Sequence, residues 1–345
     1  MNKDLLIKEQ SSEAVDFITK YTGENFTSSL ILKTIDVFNI EAIATGSYKT
    51  IVNLNKINDL RGINRFLKTV NTKLSENDVF IGYVETYVQR KKRLLRKYPF
   101  FIRQIYFFMD FIVKRVFPKL GITRKLYFFL TAGRNRVLSK AETLGRLVYN
   151  GFNMIEVKEI GNLTYIACSK TNRAIPDEIP SFGFFFKMKR IGKDNKLITV
   201  YKIRTMHPYA EYLQSYVFDN NSLRDGGKFK DDYRITSWGK IFRKLWIDEI
   251  PMAINLLKGE IKLVGVRPLS PHYLSLYSDE LKQKRTLVKP GLIPPFYADL
   301  PITLEDIINS ELKYLELYHQ KPFKTDFAYF FKAIKNIVFK KARTN

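Results

Sequence analysis

Asp248 and Glu249 stand together just before Pro251, in a stretch otherwise rich in cations. Neighbours on a helix point about 100° apart, so two adjacent carboxylates suit two separate jobs. One can attack phosphorus as a nucleophile while the other holds a magnesium ion against a diphosphate. For the dipeptide alone, a solvated acidic pair answering Arg243 and Lys244 is the simpler alternative. The surroundings favour chemistry. Lys202, Arg204 and Thr205 follow the strand-prone run 197–201, Arg267-Pro268 follows the apolar run 261–264, and Lys289-Pro290-Gly291 makes a tight basic turn. The fork of Arg and the point charge of Lys both grip phosphate. Several loops ending in a cation around one acidic pair are the parts of a phosphoryl-transfer site.

These residues need elements to hold them. Thr236 or Ser237 can cap a helix whose apolar positions are Ile241, Phe242, Leu245 and Trp246 and which carries Arg243, Lys244 and the acidic pair. Pro251 should kink or stop that helix beside the acids, because it lacks the N–H for Ile247. In the first half, 49–54 and 79–84 read as strands around a helix over 59–74. Ser139 can cap a helix over 140–149, followed by strands at 153–158 and 164–169. The fold class expected is α/β: an N-terminal half-Rossmann-like α/β domain with interfacial helices, then an α+β catalytic domain of short strands and amphipathic helices. The proline-bearing stretch 172–182 separates the two, with domains at 1–175 and 176–345.

The 345 residues suffice for two cores. One cysteine, Cys168, and three scattered histidines leave no disulfide and no zinc pattern, so the expected compartment is reducing. No window reaches the roughly 18 apolar residues of a spanning helix. A net charge of +24 calls for an anionic partner. Residues 90–146 hold sixteen Lys and Arg against two acids, Asp110 and Glu142, interleaved with Phe-rich sequence. Aliphatic and Phe-rich runs are poorly used on nucleic acid but serve helices lying on an anionic membrane surface, so membrane is the expected partner and nucleic acid is not. Phe107, Phe108 and Phe111, with Phe184, Phe185 and Phe186 further on, are the candidate membrane contacts; a buried core helix is the plainer alternative.

Two resemblances add to this. Segments 50–55, 74–85 and 145–170 resemble the second half of a class I S-adenosylmethionine-dependent methyltransferase fold. Residues 1–48 contain only Gly23 and Gly46 and lack that family's glycine-rich cofactor loop, so methyl transfer is not expected. The ordered motifs Tyr201-Lys202-Ile203-Arg204-Thr205-Met206, Asp232 with Arg234-Ile235-Thr236, Gly239, Arg243-Lys244, Asp248-Glu249-Ile250-Pro251, Asn255, Lys258-Gly259-Glu260, Leu263-Val264-Gly265, Arg267-Pro268 and Lys289-Pro290-Gly291 resemble the bacterial sugar transferase family, the monotopic polyprenyl-phosphate phosphoglycosyl transferases, over about 184–297. The resemblance implies transfer of a sugar 1-phosphate from a UDP-sugar to undecaprenyl phosphate, the first membrane step of surface polysaccharide or glycoconjugate assembly. It implies Asp248 as nucleophile, Glu249 as ligand of Mg2+, and Arg243 and Arg267 on phosphates; Lys202, Arg204, Thr205 and Lys289 are the further phosphate contacts that residue type and loop position suggest. It also implies the cytoplasmic face of the bacterial inner membrane, and a homo-oligomer is compatible with it. Two departures stand out. The family's long apolar re-entrant helix is replaced by the polar stretch 153–180, and Val266 stands where a proline is common. An inactive membrane-bound adaptor and an RNA-binding protein are the competing classes; the retained acidic pair opposes the first, and the lack of a nucleic-acid module the second.

Overall fold

The computed structural model describes residues 2–172, 180, 182–220, 223–224, 228–229, 232–275 and 277–339. Asp231 and most of the joining stretch 172–182 lie outside the described residues. The protein is α/β and separates into two compact units, one of residues 1–182 with 207–220, the other of 183–206 with 221–345. Residues 207–220 thus leave the C-terminal half and pack in the first unit, a crossing that nothing in the sequence pattern announces.

The first unit opens with α1 (Asn2–Glu9) and α2 (Ser12–Thr22), then alternates β1 (Ser29–Leu32), α3 (Phe38–Glu41), β2 (Thr50–Lys56), α4 (Ile63–Lys73) and β3 (Val79–Val84). β1, β2 and β3 pair in parallel, as strands joined by helical crossovers can. Apart from the ends, β2 and β3 are continuously buried, the pattern of strands covered on both faces. α4 buries Ile63, Phe66, Leu67 and Val70, one stripe at helical spacing. After α5 (Tyr87–Lys97), α6 (Phe100–Phe111), α7 (Gly121–Thr131) and α8 (Lys140–Tyr149), the antiparallel pair β4 (Phe152–Ile160) and β5 (Leu163–Lys170) completes the sheet in the order β1-β2-β3-β5-β4. Thr86 caps α5 in a reciprocal box with Gln89, and Ser139 caps α8 by accepting from the Glu142 N–H. α9 (Gln214–Asn220) belongs to this unit.

Pro99 precedes α6, and Pro118 sits in a 3-10 turn at Phe117–Lys119 after a π turn at Ile112–Val116, so the two prolines divide the basic aromatic stretch. Both acids of that stretch are buried among cations. Asp110 takes Arg90 on both oxygens at 2.6 and 2.8 Å, and Glu142 takes Arg115 at 2.6 Å. α6 presents Phe101, Ile105 and Phe108 to solvent, and α7 presents Ile122, Leu126 and Phe129, both at i, i+4, i+7 spacing. Phe107 and Phe111 do not share that face. Their rings pack on Tyr87 at 5.7 and 5.6 Å, and both are partly covered. Among the described residues no helix is long and apolar enough to cross a membrane.

The second unit starts with the antiparallel hairpin β6 (Phe185–Ile191) and β7 (Leu197–Ile203), followed by the short pair β8 (Leu223–Arg224) and β9 (Lys228–Phe229). α10 (Ser237–Leu245) and α11 (Ala253–Leu257) lead to β10 (Lys262–Val264), which pairs in parallel with β11 (Gly291–Ile293). Between and after these strands lie α12 (Pro271–Ser275), α13 (Asp279–Thr286), α14 (Phe296–Asp299), α15 (Leu304–Gln320) and α16 (Pro322–Phe339). Val264, Val266, Leu281, Ile293, Tyr297 and Tyr314 form their shared core.

Candidate active site

The candidate site lies within the second unit, and its scaffold is the end of β7. Asn255, fully buried, donates to the Thr199 carbonyl at 2.7 Å and to Glu260 at 2.6 Å, and accepts from the Tyr201 N–H at 3.3 Å. One side chain thus pins β7 to the segment after the acidic pair. The start of α10 is locked to the same strand end. The Thr236 N–H donates to the Thr205 carbonyl at 2.9 Å, and a Cβ on Gly239 would lie 2.1 Å from that carbonyl oxygen, so only glycine fits. Thr236 also caps the helix through the Gly239 N–H at 3.0 Å.

The helix ends sooner than Pro251 alone would require. Trp246 takes a left-handed conformation, φ 59 and ψ 16, directly after Leu245, and Ile247–Met252 then runs as a 3-10 helix containing Pro251. The acidic pair therefore sits on this tighter turn, not on α10. The Trp246 ring packs on Tyr297 at 4.6 Å, giving the break a core anchor.

The turn aims Asp248 inward. It is 9% exposed, and among the described residues its Oδ1 is buried without a hydrogen-bond partner. Burial, with the neighbouring Glu249 charge, holds its carboxyl above the usual aspartate range, while Lys202 and Arg243 pull the other way. Glu249 takes the opposite role, accepting from Lys202 Nζ at 2.5 Å. Burial lowers the Lys202 ammonium; Glu249 opposes this and the Arg267 charge adds to it. Arg243 is likewise lowered by burial, lies in electrostatic range of Asp248 and Arg267, and donates from Nε to the Thr205 hydroxyl at 2.8 Å.

Arg267 is carried by the end of β10. A Cβ on Gly291 would fall 2.1 Å from the Gly265 nitrogen, so this close strand approach needs glycine. Behind it, buried Arg285 pairs with Glu311 and donates to the Arg267 carbonyl at 2.5 Å; burial pushes the Arg285 guanidinium down to about 10. The Arg267 guanidinium lies 5.9 Å from the Phe296 ring centre.

Asp248, Glu249, Lys202, Arg243 and Arg267 are thus brought together, with Thr205 holding Arg243. Arg204 and Lys289 are placed differently. Arg204 is buried, donates to the Gly183 carbonyl at 3.1 Å and stacks over Phe186 at 4.7 Å. Lys289 is exposed, its ammonium near Gly259. Phe184 and Phe185 are exposed, Phe184 stacking on Trp238, whereas Phe186 is partly covered. Sequence reasoning left out Asn255 as a positioning residue, since a lone Asn in a motif does not reveal three partners. It also left out Arg190, whose guanidinium burial lowers and which feels the Arg267 charge. Trp238, Ile241 and Leu245 before the acidic pair and Ile250, Ile254 and Leu257 after it are exposed apolar side chains.

A family model described as bacterial sugar transferase matches residues 174–340. Over those residues the chain is similar to the bacterial sugar transferase family. Among similar proteins, an uncharacterized sugar transferase, EpsL, of Bacillus subtilis is 40% identical over 108 residues, 31% of this chain and 47% of that protein. An undecaprenyl-phosphate galactose phosphotransferase of Salmonella typhimurium is 33% identical over 109 residues, 30% of this chain and 23% of that one. A UDP-N-acetylgalactosamine-undecaprenyl-phosphate N-acetylgalactosaminephosphotransferase of Aeromonas hydrophila is 34% identical over 111 residues, 31% and 23% of the two chains. The matches thus span about half or less of these relatives' lengths. A putative S-adenosylmethionine-dependent methyltransferase structure from Listeria monocytogenes aligns with 39% of this chain and 67% of its own at 17% identity. Its TM-score of 0.25 assigns nothing to this chain.

Proposed function

We propose that this protein transfers a sugar 1-phosphate from a UDP-sugar to undecaprenyl phosphate, through an aspartyl sugar-phosphate at Asp248, at the cytoplasmic face of the bacterial inner membrane. The observation that carries the reading is Asp248 itself: a buried carboxylate oxygen that finds no hydrogen-bond partner among the described residues, in the field of Lys202 and Arg243. Such a group is costly unless it is used. The family similarity of residues 174–340 and the names of the relatives point to the same reaction class.

In this reading an Asp248 oxygen attacks the phosphorus that bears the sugar, the bond to the uridine monophosphate oxygen breaks, and uridine monophosphate leaves with that electron pair. An oxygen of undecaprenyl phosphate then attacks the same phosphorus, returning the pair to Asp248 as a free carboxylate. Arg243 and Arg267 hold the charge of the diphosphate, and Lys202 keeps Asp248 ionised while orienting Glu249.

Among the described residues no three His, Cys, Asp or Glu side chains converge to form a metal cage. The adjacent carboxylates still suit Mg2+, which takes one or two protein carboxylates and completes its shell with water and substrate phosphates. Glu249 would hold it, and bound magnesium would neutralise diphosphate charge.

The apolar stripes of α6 and α7 and the exposed Phe184 and Phe185 are the surfaces assigned to the bilayer. The direct test offers a panel of UDP-sugars to protein in nanodiscs without acceptor and weighs the intact chain. A sugar-phosphate adduct that is lost in Asp248→Asn and discharged by undecaprenyl phosphate is expected. Turnover without any adduct would sink the covalent route.

A further inference from the structure

Where the stretch joining α6 to α7 meets α8, the described residues place three cations on one buried carboxylate. Glu142, 1% exposed, receives Arg115 at 2.6 Å, Arg146 at 3.0 Å and Lys119 at 3.4 Å. The two arginines have further partners. Arg115 donates to the Val137 carbonyl at 2.8 Å and contacts His207 Nδ1 at 3.3 Å, and Arg146 reaches Asn64 at 2.8 Å and the Tyr209 hydroxyl at 3.2 Å. His207 adds no charge: burial, with the Arg115 charge beside it, pushes its imidazole down to about 3. Lys119 is the loosest member, held at the longest distance and with 24% of its side chain exposed.

Three cations on one buried carboxylate leave a surplus that a low-dielectric site stabilises poorly. Lys119 bears the consequence. Burial and the Arg115 charge push its ammonium down to about 7, against the opposing pull of Glu142. A second anion at the exposed side of Lys119 would relieve this surplus.

The surroundings of Lys119 say which anion. Leu120 follows it directly and Ile122 comes two residues later, 51% and 89% exposed, and the stripes of α6 and α7 run out on either side. A free anion has no use for these apolar side chains, whereas a lipid headgroup places its phosphate beside its acyl chains. We propose that Lys119, backed by Arg115, seats the phosphate of an anionic lipid headgroup while Leu120 and Ile122 enter the acyl layer beside it. This rests on the assignment of the α6 and α7 surface to the bilayer. It adds a defined recognition point to a surface whose other exposed basic residues, such as Lys125, attract anionic lipid only diffusely.

The test uses the full chain with phosphatidylcholine vesicles, mixed phosphatidylcholine–phosphatidylglycerol vesicles, or inorganic phosphate alone, and reads amine labelling of Lys119 by peptide mass. At equal fractions of bound protein, phosphatidylglycerol should protect Lys119 about tenfold more than phosphatidylcholine. Lys119→Gln should lower the preference for anionic vesicles about tenfold, against about fivefold or less for Lys125→Gln, a single surface charge. Equal protection by both vesicles, or equal effects of the two variants, overturns the proposal. Protection by inorganic phosphate without vesicles does so as well, marking a soluble-anion site. Failure of the protein to bind either vesicle removes the bilayer assignment itself, whereas binding with Lys119 still labelled removes only the headgroup site.

Discussion

Arg243 donates from Nε to the Thr205 hydroxyl at 2.8 Å, so the strand end that carries Lys202 also orients the guanidinium facing Asp248. A charge-assisted bond of this kind contributes about 1.5–3 kcal/mol. Thr205→Val should therefore lower kcat/KM about tenfold or more while leaving Arg243 in place, and Thr205→Ser should restore most of it. Steady-state kinetics of the two variants decide the matter: equal activity would show that Arg243 is oriented by something else.

Arg267 and Arg243 should each respond to replacement by Lys with a loss of about 10- to 100-fold in turnover, because a point charge cannot reproduce a planar fork. Full activity in both Lys variants would make these arginines structural.

The acid limb of the pH profile should titrate above the ordinary aspartate value of about 3.9, since Asp248 must be ionised to attack and burial raises its pKa. Lys202 opposes that rise, so Lys202→Met should move the limb to higher pH. The linkage has a second consequence. A carboxyl whose pKa is higher folded than unfolded favours the fold at low pH, and that contribution is lost as pH rises through the folded value. At neutral pH Asp248→Asn should accordingly melt no lower than the wild type, while losing at least about 10³-fold in activity. A clear drop in Tm would instead assign Asp248 a structural role.

Chelation should abolish turnover, and Glu249→Gln should need more magnesium for half-maximal rate, because the ligand oxygen loses its charge. Wild-type turnover unchanged by chelator would remove the metal from the mechanism.

Membrane attachment should resist salt better than a purely electrostatic contact. Basic residues contribute about 1 kcal/mol each at an anionic surface and are screened, whereas buried apolar area is not. Phe101, Phe108 and Phe129 replaced together by Ser should shift the protein into the soluble fraction and lower lipid-linked product, with little effect on adduct formation from the nucleotide sugar. These three are exposed, so unlike Phe107 and Phe111 their loss leaves the Tyr87 packing intact. Fractionation unchanged by the triple variant would place the attachment elsewhere.

The local elements are easier to read from the sequence than the contacts between them. Strand and helix periods located β2, α4, β3, α8, β4 and β5, because apolar spacing follows from what each element must bury. The helix break was misplaced because Pro251 is a visible breaker, whereas a left-handed Trp246 depends on its ring reaching Tyr297, a contact remote in sequence. The sorting of α6 is likewise hidden from the sequence: Phe107, Phe108 and Phe111 are equally apolar, and Tyr87 covers the first and last of them in part. Asn255 and the Arg285–Glu311 pair act through partners that no local pattern names.

The chain crosses between its two units three times, at 182/183, 206/207 and 220/221. Neither unit can therefore be excised as one uninterrupted length. A fragment beginning at Gly183 would retain 207–220, whose Tyr209, Leu213 and Val217 are buried in the other unit, and would present them to solvent as sticky, unsatisfied surface. A chain stopped at Phe182 would lack the Tyr209 carbonyl that packs where Gly145 has no side chain. Dissection into independently expressed halves should yield two aggregating products, and a soluble catalytic fragment would need 207–220 replaced by a short polar bridge.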